Sequence, residues 1–223
     1  MAVVVKYFST SSAGAADGST WADRAILFTA GAWSTVITGF SFAGSDSLEV
    51  RIEGGLTYTI TAAMASGLFA NPPTAANPIV FHGCDSSGNL LESPDPGWVS
   101  AAVPFSTSTL PVVATTTDIA TTSLAFSLWR CVYFTVTART SNVFTAGNFD
   151  WCAVTCSVSN TSTTVFAAVS GINNTWIIMS GTSFNIVISD PAAVANYTDI
   201  RLDGTAGTSS GTRRGVSSSS AGH

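Results

Sequence analysis

Charge is what this sequence has least of. Asp, Glu, Lys and Arg make up 9% of its 223 residues, against about 25% in an average globular protein, which excludes a chain kept disordered by its own charge. The eight Lys and Arg are scattered apart from Arg213-Arg214, under a net charge of −5. Without a basic stripe to meet a phosphate backbone, nucleic acid is not an expected partner. Polar residues interrupt every apolar run well before the length a membrane-spanning helix needs, so neither such a helix nor a membrane partner is expected. Lys6 follows the short amino-terminal apolar run instead of preceding it, the wrong order for a secretory signal, so synthesis in the cytoplasm without a signal peptide is expected.

Ligating and nucleophilic groups are also sparse. Cys84, Cys131, Cys152 and Cys156 form no CxxC pair, and only two histidines could assist them, so no metal and no cofactor is expected and the thiols read as buried and free. Cys131 falls on the outward parity of its strand and Cys152 and Cys156 on the inward one, so no Cys131–Cys152 disulfide is expected.

What is abundant is apolar residues, 46% of the chain, interleaved with Ser, Thr, Gly and Asn. Between Leu110 and Leu202 they recur with a nearly constant period: Trp129 to Thr137 aligns without gaps on Trp151 to Ser159, a step of 22. Repeating that step gives three columns. They are Leu110, Val132, Val154, Trp176, Thr198; then Val112, Phe134, Cys156, Ile178, Ile200; then Ala114, Val136, Val158, Ser180, Leu202. Hydroxylated residues such as Thr135, Thr155 and Ser157 fall between the columns, so each block alternates apolar and polar side chains with the period of a strand. A second strand recurs in Asn142 to Thr145, Thr164 to Ala167 and Ile186 to Ser189, bounded by turn material such as Gly147-Asn148 and Asp190-Pro191. Short strands repeating at this length predict stacked β-coils, each burying its apolar edge on the next. The expected core is Val132, Phe134, Val136, Val154, Cys156, Val158, Trp176, Ile178, Ile200 and Leu202.

The amino-terminal half adds strand-like segments at Lys6 to Thr10, Ser47 to Ile52, Leu56 to Thr61 and Pro78 to His82, and a brief amphipathic one at Trp21 to Phe28. Its Asp17-Gly-Ser-Thr-Trp-Ala22, Asp46-Ser-Leu-Glu-Val-Arg-Ile52, Gly54-Gly-Leu-Thr-Tyr-Thr59 and Asn77-Pro-Ile-Val-Phe-His-Gly83 resemble the opening region of pectate-lyase-like right-handed parallel β-helix proteins, a superfamily that includes bacteriophage virion proteins. The resemblance covers residues 6 to 91 as a pattern and 107 to 204 as coils. It implies an all-β fold, a right-handed parallel β-helix with an amino-terminal cap and an extended carboxy-terminal tail. One domain is expected over 1–203: strand and cap in 1–45, first coils in 46–91, an excursion in 92–109 and regular coils with a step of 22 in 110–203. Residues 204–223, rich in Gly, Ser and Thr, read as a tail too polar to be ordered by its own chain.

Enzymes on such a fold would need carboxylates on adjacent coils, or a cation site beside a Lys or Arg. Asp118, Asp150 and Asp190 have no carboxylate one period away in either direction. Asp199, Arg201 and Asp203 share one strand face, as do Glu49, Arg51 and Glu53 near Asp46; both sets read first as solvated ladders or contacts. His82-Gly-Cys84 lacks a third group to orient a nucleophile pair. Trp129 and Trp151 share a register and Trp176 does not, leaving the first two as an exposed or interfacial pair.

No catalytic residue is therefore expected, and the chain reads as a structural protein. By its resemblance it is expected to be a virion protein of a tailed bacteriophage, most concretely a capsid decoration or cement protein on the exterior of the shell, a homotrimer bound to the major capsid protein or another virion protein. Its tail would run along a neighbouring subunit or the shell, with Arg213, Arg214, Trp129 and Trp151 at interfaces. The alternatives are a tailspike-like polysaccharide depolymerase or lyase, and a carbohydrate-binding adhesion module.

Overall fold

The computed structural model describes residues 2–29, 32–44, 46–61, 69–92, 109–115, 126–137, 143–144, 146–157, 164–167, 171–173, 175–179, 186–190, 196–198, 201–204 and 214–218. In chain order their strands are β1 (Val3–Ser9), β2 (Ala25–Ile26), β3 (Phe28–Thr29), β4 (Ala32–Trp33), β5 (Ser47–Glu53), β6 (Thr57–Ile60), β7 (Ile79–Cys84), β8 (Val112–Thr115), β9 (Ser127–Arg130) and β10 (Tyr133–Thr137). There follow β11 (Asn148–Asp150), β12 (Ala153–Ser157), β13 (Thr164–Ala167), β14 (Gly171–Asn173), β15 (Trp176–Met179), β16 (Ile186–Asp190), β17 (Asn196–Thr198), β18 (Arg201–Gly204) and β19 (Arg214–Ser218). Helix among the described residues amounts to one four-residue segment, Thr35–Thr38, a 3-10 turn at Trp21–Asp23 and a 3-10 residue at Thr109. Among them, too, no helix is long and apolar enough to cross a membrane.

The chain is thus mostly strands, and the strands form three parallel sheets. An eight-stranded sheet runs β17-β14-β11-β9-β7-β5-β1-β2, a six-stranded sheet β18-β15-β12-β10-β8-β6, and a three-stranded sheet β13-β16-β19; among the described strands only β3 and β4 pair antiparallel. From β5 onward the chain alternates between the first two sheets, and from β13 it visits all three in turn. Parallel neighbours need a crossover between them; here the other sheets supply it. Each pass lays a strand beside its predecessor.

Alternation decides which side chains meet between the sheets. Val50, Phe81, Trp129, Phe149 and Ile172 pair in succession across the eight-stranded sheet, and Val113, Phe134, Val154 and Ile177 across the six-stranded one. All nine are fully buried, and each stabilises the fold by about 1.5–3 kcal/mol through burial. Phe81 and Trp129 stack with centroids 4.0 Å apart, and Phe134 meets Trp129, Phe144 and Phe149 edge-on. In the amino-terminal half the inner space is also filled by Leu27, Trp33, Ile37, Phe42 and Phe69, with Trp33 reaching Phe81 and Trp129 at 5.3 and 6.2 Å.

The register based on a step of 22 needs correction. Phe134 pairs with Val154, twenty residues on; Val154 with Ile177, twenty-three on; Ile177 with Leu202, twenty-five on. Thr164 and Ile186 keep the step of 22, in the three-stranded sheet. A slip from 22 to 20 preserves parity, and Val132, Phe134, Val136, Val154 and Cys156 are all fully buried. A slip to 23 reverses it. Ile178 accordingly pairs with Thr155 and Asp203, and Trp176 with Ala153 and Arg201, the parity opposite to that of Phe134 and Val154. Leu202 pairs by register with Ile177. Val158 and Ile200 lie outside the described residues, as do the side chains of Trp176, Ile178 and Leu202.

Of the expected tail, residues 205–213 and 219–223 lie outside the described residues. Residues 214–218 pair in parallel with β16 of the same chain, Ile188 opposite Val216 and Ile186 opposite Arg214. The edge of β16 offers N–H and C=O groups for pairing, and Val216 continues the ladder position of Ile188. This stretch is thus paired with its own chain, which differs from the expected run along a neighbour. Arg213 lies outside the described residues, and so does most of the expected 92–109 excursion.

Candidate functional site

A surface cleft of about 400 Å³ opens where the eight-stranded and six-stranded sheets meet, lined by His82, Leu90, Leu91, Glu92, Arg130, Asp150 and Trp151. It is built by an outward ladder of the eight-stranded sheet: Tyr7, Arg51, His82, Arg130, Asp150 and Asn173 occupy successive strands at one register position. Both sheets turn a corner here. Cys131 follows β9 and Trp151 follows β11 at equivalent places, each with φ of 53°. Few non-glycine residues adopt this left-handed conformation, which turns the chain from one sheet into the other within two residues.

The third wall comes from the chain after β7. Asp85 accepts hydrogen bonds at Oδ1 from the Ser87 and Asn89 amides and at Oδ2 from the Asn89 side chain, a reversal that the Asp, Ser, Gly and Asn of this stretch favour. These bonds hold its carboxyl below the usual aspartate range. Leu90 returns to bridge Cys84. Leu91 is fixed over the corner: its amide donates to the Gly83 carbonyl at 2.9 Å, and its carbonyl accepts from Cys131 Sγ at 3.3 Å and from His82 Nε2 at 2.9 Å. A Cβ on Gly83 would run into the Cys131 carbonyl oxygen, so this close approach requires glycine.

Because a carbonyl only accepts, the Nε2 of neutral His82 must carry the proton. Burial lowers the His82 pKa, favouring the neutral ring. Arg130 donates from Nε and Nη2 to Asp150 Oδ2 at 3.0 and 2.8 Å. Arg51 pairs with Glu49 at 2.6 Å and donates to the Gly88 carbonyl. The cleft thus presents a guanidinium, two carboxylates, an imidazole and a half-buried indole, with the guanidinium engaged by Asp150. That equipment suits holding a polar ligand.

Several residues singled out in the sequence lie elsewhere. Trp129 is fully buried and stacked on Phe81, not at an interface; it pairs with Phe149, and Trp151 sits at the corner instead. Glu49, Arg51 and Glu53 do share one face of β5, and Asp46 accepts from the Ala2 amide. His82 addresses Leu91, not Cys84, whose thiol is pushed up to about 12 by burial. All four cysteines are buried free thiols, and burial pushes Cys131 up to about 12 as well. Cys131 belongs to a small cluster with Leu110 and Ala153, whereas Cys152 and Cys156 belong to the main core. Asp190 pairs by register with Ser218, and Arg201 and Asp203 lie two apart on β18; Asp118 and Asp199 lie outside the described residues.

Arg130, Leu90, Leu91 and Glu92 are the cleft residues that sequence reasoning misses. The signal for Arg130 is its opposite charge to Asp150, on outward positions twenty residues apart, which a step of 22 conceals. The use of this cleft must be argued from its own chemistry: no family model, curated protein or solved structure matches the chain.

Proposed function

We propose that the chain is a right-handed parallel β-helix of the pectate-lyase-like kind and serves as a structural virion protein: a capsid decoration protein of a tailed bacteriophage, self-associated and bound to the outside of the major capsid protein. The observation that carries this reading is the ordered visiting of three parallel sheets around one continuous apolar interior. Such a stack is stiff along its length, since each inner strand of a sheet is hydrogen-bonded to a neighbour on either side, and it offers long faces for contact. Its catalytic silence and its place on a particle belong to the proposal. The test is to mix the tagged chain with purified particles and identify what it retains. Retention with the major capsid protein supports the reading. A chain that stays free of particles, or that releases sugar from an acidic polysaccharide, overturns it.

The corner cleft favours a second reading, glycan binding. An indole beside Arg130, Asp150 and Glu92 can stack on a sugar ring and bond its hydroxyls. Titrating oligosaccharides while following tryptophan fluorescence tests it; a response that survives Trp151→Ala would place binding elsewhere.

A further inference from the structure

We propose that a second copy of this chain docks on the outer face of the eight-stranded sheet, through an apolar patch made by Val3, Val5, Val80, Phe126 and Leu128. Two large apolar side chains among the described residues stand clearly exposed, Val3 at 58% and Phe126 at 45%. The register brings them onto one line. Val3 pairs with Ser47, the Leu48 amide donates to the Pro78 carbonyl, and the Ile79 amide to the Phe126 carbonyl, so Val3, Ser47, Pro78 and Phe126 succeed one another across four adjacent strands. Two residues further along, Val5, Glu49, Val80 and Leu128 form the next outward row, each half-buried. Four strands at about 4.8 Å spacing give a patch roughly 14 Å across. The face of a sheet turned from its core ordinarily carries polar side chains, as this sheet does further on at Asn148 and Asn173.

Charge identifies the occupant. The chain carries −5, so identical copies repel over surfaces that share that sign. Within the two rows of the patch the one charged side chain is Glu49, and it pairs with Arg51. An identical, net-negative copy can therefore approach here without repulsion, whereas a basic partner would be drawn to the acidic remainder. Association through an apolar, net-neutral patch should hold or strengthen as salt screens the residual repulsion.

This inference takes only self-association from the proposed function. The test uses the free full-length chain, so a chain that self-associates without binding particles leaves it standing. Sedimentation velocity at micromolar concentration should show a dimer or larger species, undiminished by added salt. Phe126→Asp, and more mildly Phe126→Ser, should weaken association at least about tenfold, while Thr135→Asp on the outer face of the six-stranded sheet should leave it unchanged. Circular dichroism confirms that each variant is folded. A wild-type chain that is monomeric throughout, an oligomer that neither Phe126 variant weakens, or an association that salt dissolves would overturn the assignment.

Discussion

The two halves of the molecule close the same kind of interior by different means. Before β9 the passes are long and uneven: Lys6 pairs with Val50, Val50 with Phe81 and Phe81 with Trp129, so thirty to nearly fifty residues separate neighbours. The surplus chain folds inward, and Trp33, Ile37 and Phe42 fill the space that two sheets leave open. After β9 the passes shorten, Trp129 pairing with Phe149, Phe149 with Ile172 and Ile172 with Tyr197, and a third sheet appears. Irregular side-chain packing does in the first half what backbone pairing does in the second. The first half should therefore suffer most from truncated aromatics, and the second from errors of parity.

The largest effect is expected from parity. Ile177→Asp places an unpaired charge in the closed ladder of Val154, and should lower stability by more than about 4 kcal/mol or prevent folding. Ile178→Asp, one position away beside Thr155 and Asp203, should leave a folded protein. Denaturant unfolding of the two distinguishes the register of 23 from that of 22, under which their effects would be exchanged.

Truncating an aromatic comes next. Trp33→Ala and Trp129→Ala should each cost about 3–5 kcal/mol in chemical unfolding, because both open a cavity against Phe81. Trp151→Ala, at the half-buried corner, should cost far less. Equal losses at Trp129 and Trp151 would restore a shared role for the pair.

Deleting residues 205–223 removes β19 and leaves β16 as a bare edge. The expected outcome is a lowered melting temperature and aggregation through that edge, with the amino-terminal half retaining its protection in hydrogen exchange. A truncated chain with unaltered melting would return the tail to an external partner.

A smaller effect is pH-dependent. His82 has its pKa lowered from 6.5 by burial, so the folded state binds a proton less readily than the unfolded chain. Its contribution to stability is whole above pH 6.5 and is lost as pH falls through the lowered value. Urea midpoints should fall on mild acidification, and His82→Gln, which can still donate to Leu91, should flatten that slope. The smallest effect belongs to Arg130→Met: the pair with Asp150 is partly solvated, so its loss should cost about 0.2–1 kcal/mol, less at high salt.

Legibility follows the same division. Tyr133 to Thr137 and Ala153 to Ser157 are readable as strands because apolar and hydroxylated residues alternate there, and the buried set around Phe134 and Val154 tolerates a register wrong by two. Ile178 is misplaced by a step of 22 because an odd step exchanges the faces. The corner cleft is scarcely legible, since it joins Leu91 and Glu92 to Arg130 and Asp150 through a crossing of chains far apart in sequence. The reversal at Asp85 that brings Leu90 back to Cys84 is written in turn residues, but its destination is not.

By itself, the sequence determined that strands form, that their apolar faces must be stacked away from water, and where turns interrupt them. Those outcomes depend on neighbouring residues and on the period of two. Which strand lies beside which residue of the next pass was decided only in the tertiary structure. The length of each turn and the left-handed corners at Cys131 and Trp151 set how much chain a pass consumes. Packing then selects the register that buries Trp129 against Phe81 and brings Arg130 to Asp150.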